Sequence, residues 1–320
     1  VGKKQASVVE SPEKINRQAA EKTADLLKPE NAAPHKADPA REKAAIEEND
    51  AYDVKKALSH VPDPGLTEVT VKGEIPKVGE DGRQVWQVYA RPFDRMDPRP
   101  RISIVVMGLG LSRVASDAAL QRLPAPVTLV FDVESPTVGA WLARARQDGH
   151  ETLLDIPMEP FDYPSSDPGP NTLLTALPNS DNIERFLWAL RQGVGYIGVT
   201  TETGSRFTVT PAKVKPLIDV FRERGLLFFD ARVTSHSVMK DLAETQQVPF
   251  VMASRRIDDN PTPAAIDAAL SDLEQTARLQ GRAIGVVSPL PLTLDRLDLW
   301  IKDLAARGFA LAPLSAQVGG

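Results

Sequence analysis

From Arg101 onward, apolar residues come in short, regularly spaced runs: Ile102–Met107, Val127–Phe131, Thr152–Ile156, Tyr196–Val199, Leu226–Asp230, Pro249–Met252, Ala283–Val287 and Phe309–Ala312. Each run is apolar without alternation and too short for a helix, so each predicts a strand buried on both faces. Between the runs the spacing changes to that of one-sided helices. Ile183, Phe186, Leu187 and Leu190 predict one, capped by Ser180 or Asp181. Val214, Leu217, Ile218 and Phe221 predict another, ended by Gly225. Ile266, Ala269, Leu270, Leu273 and Ala277 predict a third after the breaker NPTP. Doubly buried strands, each followed by a helix, imply parallel strands joined by right-handed crossovers. About seven such units favour closure of the sheet over an open one. The fold class predicted is α/β, a distorted (β/α) barrel of about seven parallel strands over residues 99–320.

Upstream the rhythm disappears. Residues 1–64, with stretches such as KPENAAPHKADPAREKAAIEEND, have few large apolar side chains. Such a segment buries too little surface to offset its ordering entropy and predicts a disordered tether. A short helix over Glu42–Leu58 would lack an apolar face, and His35 and His60 lie here, away from any core. Residues 65–98 differ again: alternating VTVKGEIP, an Asp-Gly turn and the aromatics Trp86 and Tyr89 predict a docking arm, with the two rings as packing anchors.

Composition narrows the function classes. A net charge of −5 offers no basic surface for a nucleic-acid partner. With no cysteine in the chain, disulfides, thiolate metal sites and cysteine nucleophiles are excluded. No apolar run approaches the roughly 18 residues that span a bilayer. The charged, proline-containing tail suits an extended spacer, and the sequence leaves open whether a signal or membrane anchor precedes Val1.

The stretch ISIVVMGLGLSR (102–113) invites a dinucleotide reading: a strand, Gly108-Leu109-Gly110, then a helix, with Asp132 ending the next strand. Against it, the third glycine of that fingerprint falls on Arg113, whose side chain would obstruct close helix–strand packing. Glycines that simply let the backbone turn account for the same residues, and no cofactor is expected.

Taken together, LPAPVTLVF (123–131), IPMEPFDYPSSDPGPNTLL (156–174), GYIGVTTETGSRFT (195–208), RGLLFFDAR (224–232) and AIGVVSPLPLTL (283–294) resemble the divergent polysaccharide deacetylases, envelope proteins distantly related to NodB-type deacetylases. The PMEP…YP…DPGP…LL string is the most specific of these. The resemblance implies a NodB-like barrel, a periplasmic or cell-envelope location and a link to cell-wall carbohydrate. In metal-dependent relatives it also implies a cation that activates water beside a base. The positions that would carry that site are altered here. The Asp-Asp pair after the first strand is replaced by Met107 and Gly108. The loop with a ligating histidine reads Thr200-Thr201-Glu202-Thr203-Gly204-Ser205, Asp155 stands where another histidine would, and Gly-His-Pro becomes Val287-Ser288-Pro289. His150 falls at the wrong end of the barrel and His236 in a polar turn, so no metal is expected.

What the strand ends retain is carboxylate and guanidinium: Asp132, Asp155 with Glu159, Glu202 with Arg206, Asp230 with Arg232, and Asp258 with Asp259. One reading makes Glu159, Glu202, Arg206, Asp230 and Arg232 a polar groove for a ligand. A sharper one makes Glu202 with Asp230 or Asp155 an acid/base pair for glycoside cleavage, and a third binds Mg²⁺ or Ca²⁺ through oxygens. A purely structural reading pairs Asp230 with Arg232 and Glu202 with Arg206. The expectation is a catalytically degenerate domain that binds a cell-wall glycan or an envelope protein; the alternative is an active deacetylase or hydrolase with rearranged carboxylates.

Overall fold

The computed structural model describes residues 57–319, so the tether, its Glu42–Leu58 helix and His35 fall almost wholly outside the described residues. From Arg101 the chain alternates strand and helix: β3 (Arg101–Leu109), α2 (Arg113–Arg122), β4 (Thr128–Asp132), α3 (Val138–Gln147), β5 (Thr152–Asp155), α4 (Asn179–Leu190), β6 (Gly198–Thr200), α5 (Pro211–Arg224), β7 (Leu227–Asp230), α6 (Met239–Gln246), β8 (Phe250–Met252), β9 (Arg255–Arg256), α7 (Pro263–Gln280), β10 (Arg282–Val287), α8 (Pro291–Lys302) and β11 (Ala310–Leu311). They form one curled sheet in the order β8-β7-β6-β5-β4-β3-β10-β9, with β11 beside the start of β3, and the pairs are parallel.

The eight apolar runs all become strands, as expected of segments with no polar face. The short β9 is missing from the sequence reading because Arg255-Arg256 gives no apolar signal. Yet this stretch completes the curl. β8 pairs with β7 and β9 with β10, while between them Ala253 N–H donates to Asp230 O (2.9 Å) and Ser254 N–H donates to Ile284 O (2.8 Å). One extended segment therefore joins the two ends of the sheet.

The helices pack their apolar stripes outside the sheet. Phe221 on α5 meets Phe186 on α4 edge to face at 5.1 Å and lies 5.5 Å from Phe228 on β7. Gly225 ends α5 at φ 62°, a left-handed conformation that costs glycine little. The cap of α4 departs from expectation: the helix begins at Asn179 after Pro178, without a side-chain cap, so Ser180 and Asp181 lie within its first turn.

Residues 57–98 pack beneath the N-terminal ends of the strands. They contain β1 (Thr67–Thr70) and β2 (Gly73–Pro76), an antiparallel hairpin, and the single-turn helix α1 (Val85–Val88). Trp86 and Tyr89 are buried, and Trp86 N–H donates to Gly225 O just before β7 (3.0 Å). Arg91 N–H donates to Glu151 Oε1 just before β5 (2.8 Å). Burial pushes the Glu151 carboxyl upward in pKa, against the donors from Ser315 and Arg91. Because this packing is at the lower end, the opposite mouth, where β4 to β7 and β10 finish, stays open.

Candidate functional site

β3 runs on through Met107, Gly108 and Leu109, so the two residues at the Asp-Asp positions lie within the strand and not in a loop after it. Met107 is fully buried, while Gly108 faces the mouth at φ 78° beside a register shift in the β3–β4 pairing. A Cβ on Gly108 would stand 3.7 Å from Glu202 Oε2, so Glu202 borders the space that an acidic side chain there would enter. Gly110 is committed elsewhere: its N–H donates to Ser116 Oγ (2.9 Å), and its carbonyl accepts from Ser135 Oγ (2.9 Å). The glycine stretch is a turn fastened by hydroxyls.

Register sets the next layer. Asp132, Asp155 and Thr200 are matched positions on β4, β5 and β6, and thus share one face of the sheet at neighbouring strand ends. Asp155 Oδ1 accepts the Glu202 N–H (2.9 Å), which fixes the loop after β6. Burial, then the negative charges of Glu202 and Asp132, push the Asp155 carboxyl well above the usual carboxylate range; the Glu202 N–H and Arg256 oppose this without cancelling it. Asp132 is raised as well, by burial first and then by Glu134 and Glu202.

A raised folded-state pKa gives a defined pH dependence. The Asp155 contribution to stability is fully present below the unfolded value, about 4, and is lost as pH rises through the folded value. Asp155→Asn keeps an oxygen for the Glu202 N–H and removes the charge. We expect it to raise stability at pH 7 and to leave it unchanged near pH 3, read by urea denaturation at both pH values.

Glu202 has a partner that the sequence reading did not supply. Arg256, on β9, donates from Nη2 to Glu202 Oε1 (2.9 Å) and from Nη1 to Ser288 Oγ (3.1 Å) at the end of β10. The expected Glu202–Arg206 pair does not form. Arg206 bonds Glu159 instead (3.2 Å), and Glu159 also accepts from Thr175 N–H, while its own carbonyl receives the N–H groups of Arg206 and Phe207. Burial raises the Glu159 carboxyl, but the Thr175 and Arg206 donors outweigh it and hold it below its ordinary value. Glu159 and Arg206 are thus bound together as the lock of the proline-rich loop after β5.

Asp230, at the end of β7, is buried, and its Oδ1 accepts the Arg232 backbone N–H (2.7 Å). The anticipated side-chain pair is therefore a backbone cap. Burial raises the Asp230 carboxyl despite that N–H, Ser237 and the Arg232 charge. The Arg232 guanidinium points elsewhere, to Ser254 O at 3.4 Å. Asp258 is sequestered under β10, accepting from Ser288 N–H (2.7 Å) and Thr293 Oγ1 (3.1 Å), whereas Asp259 is exposed. His150 is buried at the far end, 2.8 Å from Val127 O, and His236 is exposed in its turn.

The strand ends thus bring Asp132, Asp155, Glu202 and Arg256 together, leave Asp230 and Arg232 to one side, and place Glu159 with Arg206 in the loop. Beside them an open groove of about 460 Å³ is lined by Glu202, Arg232, Ser254, Arg255, Arg256 and Asp259. Among the described residues, no three His, Cys, Asp or Glu side chains converge as metal ligands. A guanidinium already contacts Glu202, and the divalent ion implied by the resemblance does not fit the groups present.

A family model for divergent polysaccharide deacetylases matches residues 104–318. The chain belongs to that family. It is similar to an uncharacterized protein of Agrobacterium tumefaciens C58 with a crystal structure, at 37% identity and a TM-score of 0.74, over 76% of this chain and 99% of that one. An uncharacterized protein of Haemophilus influenzae is 24% identical over 205 residues, 64% of this chain and 72% of its own length. The uncharacterized protein YibQ of Escherichia coli K12 is 23% identical over 205 residues, 64% of this chain and 63% of YibQ. The segment shared with the family contains the whole mouth, from β3 to Ser288, whereas the arm at residues 57–98 precedes it.

Proposed function

We propose that this chain is a catalytically degenerate member of its family, a cell-envelope domain that binds wall glycan at its strand-end mouth without deacetylating it. One observation carries the reading: the Glu202 carboxylate, in the loop where a metal-dependent relative would carry a ligand, is bonded to the Arg256 guanidinium at 2.9 Å. A neutralised carboxylate is a poor ligand for a hard cation. Carboxylates and fixed guanidiniums are instead suited to orienting sugar hydroxyls and amides. Leu111, Phe161, Met252 and Leu290 are exposed around the strand ends and give apolar contact area for the faces of sugar rings.

A second reading is favoured by Asp155, whose buried carboxyl is pushed upward in pKa beside a second acid, Glu202, as a general acid for glycan cleavage requires. The two readings separate on acetylated chitooligosaccharides and soluble peptidoglycan fragments. Saturable binding without release of acetate or of shortened sugars supports the degenerate domain. Turnover that disappears in Glu202→Ala or Asp155→Asn establishes the active enzyme instead.

A further inference from the structure

We infer that the groove between β7 and β9 selects a glycan bearing a free carboxylate, with the Arg232 guanidinium as the group that receives it. This rests on the glycan-binding reading and adds the charge of the ligand to it.

Two residues other than glycine have a positive φ among the described residues, Arg232 at 60° and Gln247 at 58°. Gln247 is explained by its place, since it is the C-cap that ends α6. Arg232 ends no helix. A side chain in the left-handed region costs about 1–2 kcal/mol, and here that conformation is held by the Asp230 carboxylate on the Arg232 N–H at 2.7 Å. A buried acid thus fixes the backbone of an exposed arginine. The Asp230 carboxylate and the Arg232 N–H close an Asx turn at the end of β7, and that turn sets the direction in which the arginine side chain leaves the backbone.

The other cations of the groove are already used. Arg255 is paired with Asp272 on α7, and Arg256 with Glu202. Arg232 bonds only a carbonyl, at 3.4 Å, and no carboxylate of the described residues lies within ion-pair distance of its guanidinium. The remaining donors form a planar fork that matches the two oxygens of a carboxylate. A neutral sugar would leave that fork to water, and a cationic ligand would be repelled by it.

The test compares titrations of the full chain with two soluble wall fragments of equal length, one carrying free carboxylates and one with those groups converted to amides. The acidic fragment is expected to bind about tenfold more tightly at low salt, with the advantage shrinking as ionic strength rises. Arg232→Asn, a residue that accepts the left-handed conformation, should erase the difference between the two fragments, and Arg232→Lys should restore part of it. Equal affinities for both fragments in the native protein would overturn the inference and leave glycan binding standing. No binding of either fragment would overturn both.

Discussion

Replacing Arg146 by leucine is expected to lower the unfolding free energy by about 3–5 kcal/mol, because buried acceptors left without donors cost about 1–3 kcal/mol each. Arg146 lies at the end of α3, almost fully buried, and donates to the carbonyls of Ser59 (3.0 Å), Tyr89 (3.0 Å) and Gly195 (2.8 Å). Its guanidinium also sits 5.2 Å from the centre of the Tyr89 ring. Burial pulls its pKa down to about 10, yet it stays charged at neutral pH. One side chain therefore joins residues 57–98 to the barrel wall. Urea denaturation should show the loss, and limited proteolysis should cut first within residues 57–98. Arg146→Lys should fall between the two, since an ammonium reaches fewer of the carbonyls. An unchanged denaturation midpoint in Arg146→Leu would remove this account of how the arm is held.

The second large effect is expected at Gly198. A Cβ there would stand 2.0 Å from Leu227 O, inside the β6–β7 pairing. Neither backbone can yield cheaply, so Gly198→Ala should cost about 3 kcal/mol. β6 has three residues, Gly198–Thr200, and feeds directly into the loop that carries Glu202. The damage should therefore extend from stability to function: a lower melting temperature accompanied by weakened glycan binding. Native-like affinity in a destabilised Gly198→Ala protein would show that the Glu202 loop is positioned independently of β6.

How much of this was legible in the sequence follows from what kind of signal each feature leaves. A strand buried on both faces must be apolar throughout, so all eight runs stood out. β9 did not, because its residues Arg255 and Arg256 face a polar mouth and take their order from hydrogen bonds to β10. The same residue hid the key pair of the site. Glu202 and Arg206 are close in sequence and of opposite charge, and that proximity suggested a pair; the fold instead turns Arg206 toward Glu159 and brings in Arg256. A partner more than fifty positions away leaves no local pattern, although an arginine between a strand and the acids Asp258 and Asp259 was the available hint. Substitution at Met107 and Gly108 was readable directly. Which end of the barrel residues 57–98 cover was not, since Trp86 and Tyr89 announce burial without saying against what.

The raised carboxyls tie these observations to function. Asp132, Asp155 and Asp230 all lie at strand ends, and in each the burial that packs the mouth disfavours the charged form. A caged divalent ion would reverse that preference and keep its ligands ionised. In this chain the positive charge next to Glu202 is a guanidinium, fixed by Ser288 and lying on the segment that closes the sheet.

The most direct measurement is zinc content after equilibration of the purified protein with excess zinc and removal of the unbound ion. With Arg256 paired to Glu202, the protein should retain far less than one zinc per chain, and Glu202→Ala should not change the amount. One tightly held zinc per chain, lost in Glu202→Ala and in Asp155→Asn, would contradict the account.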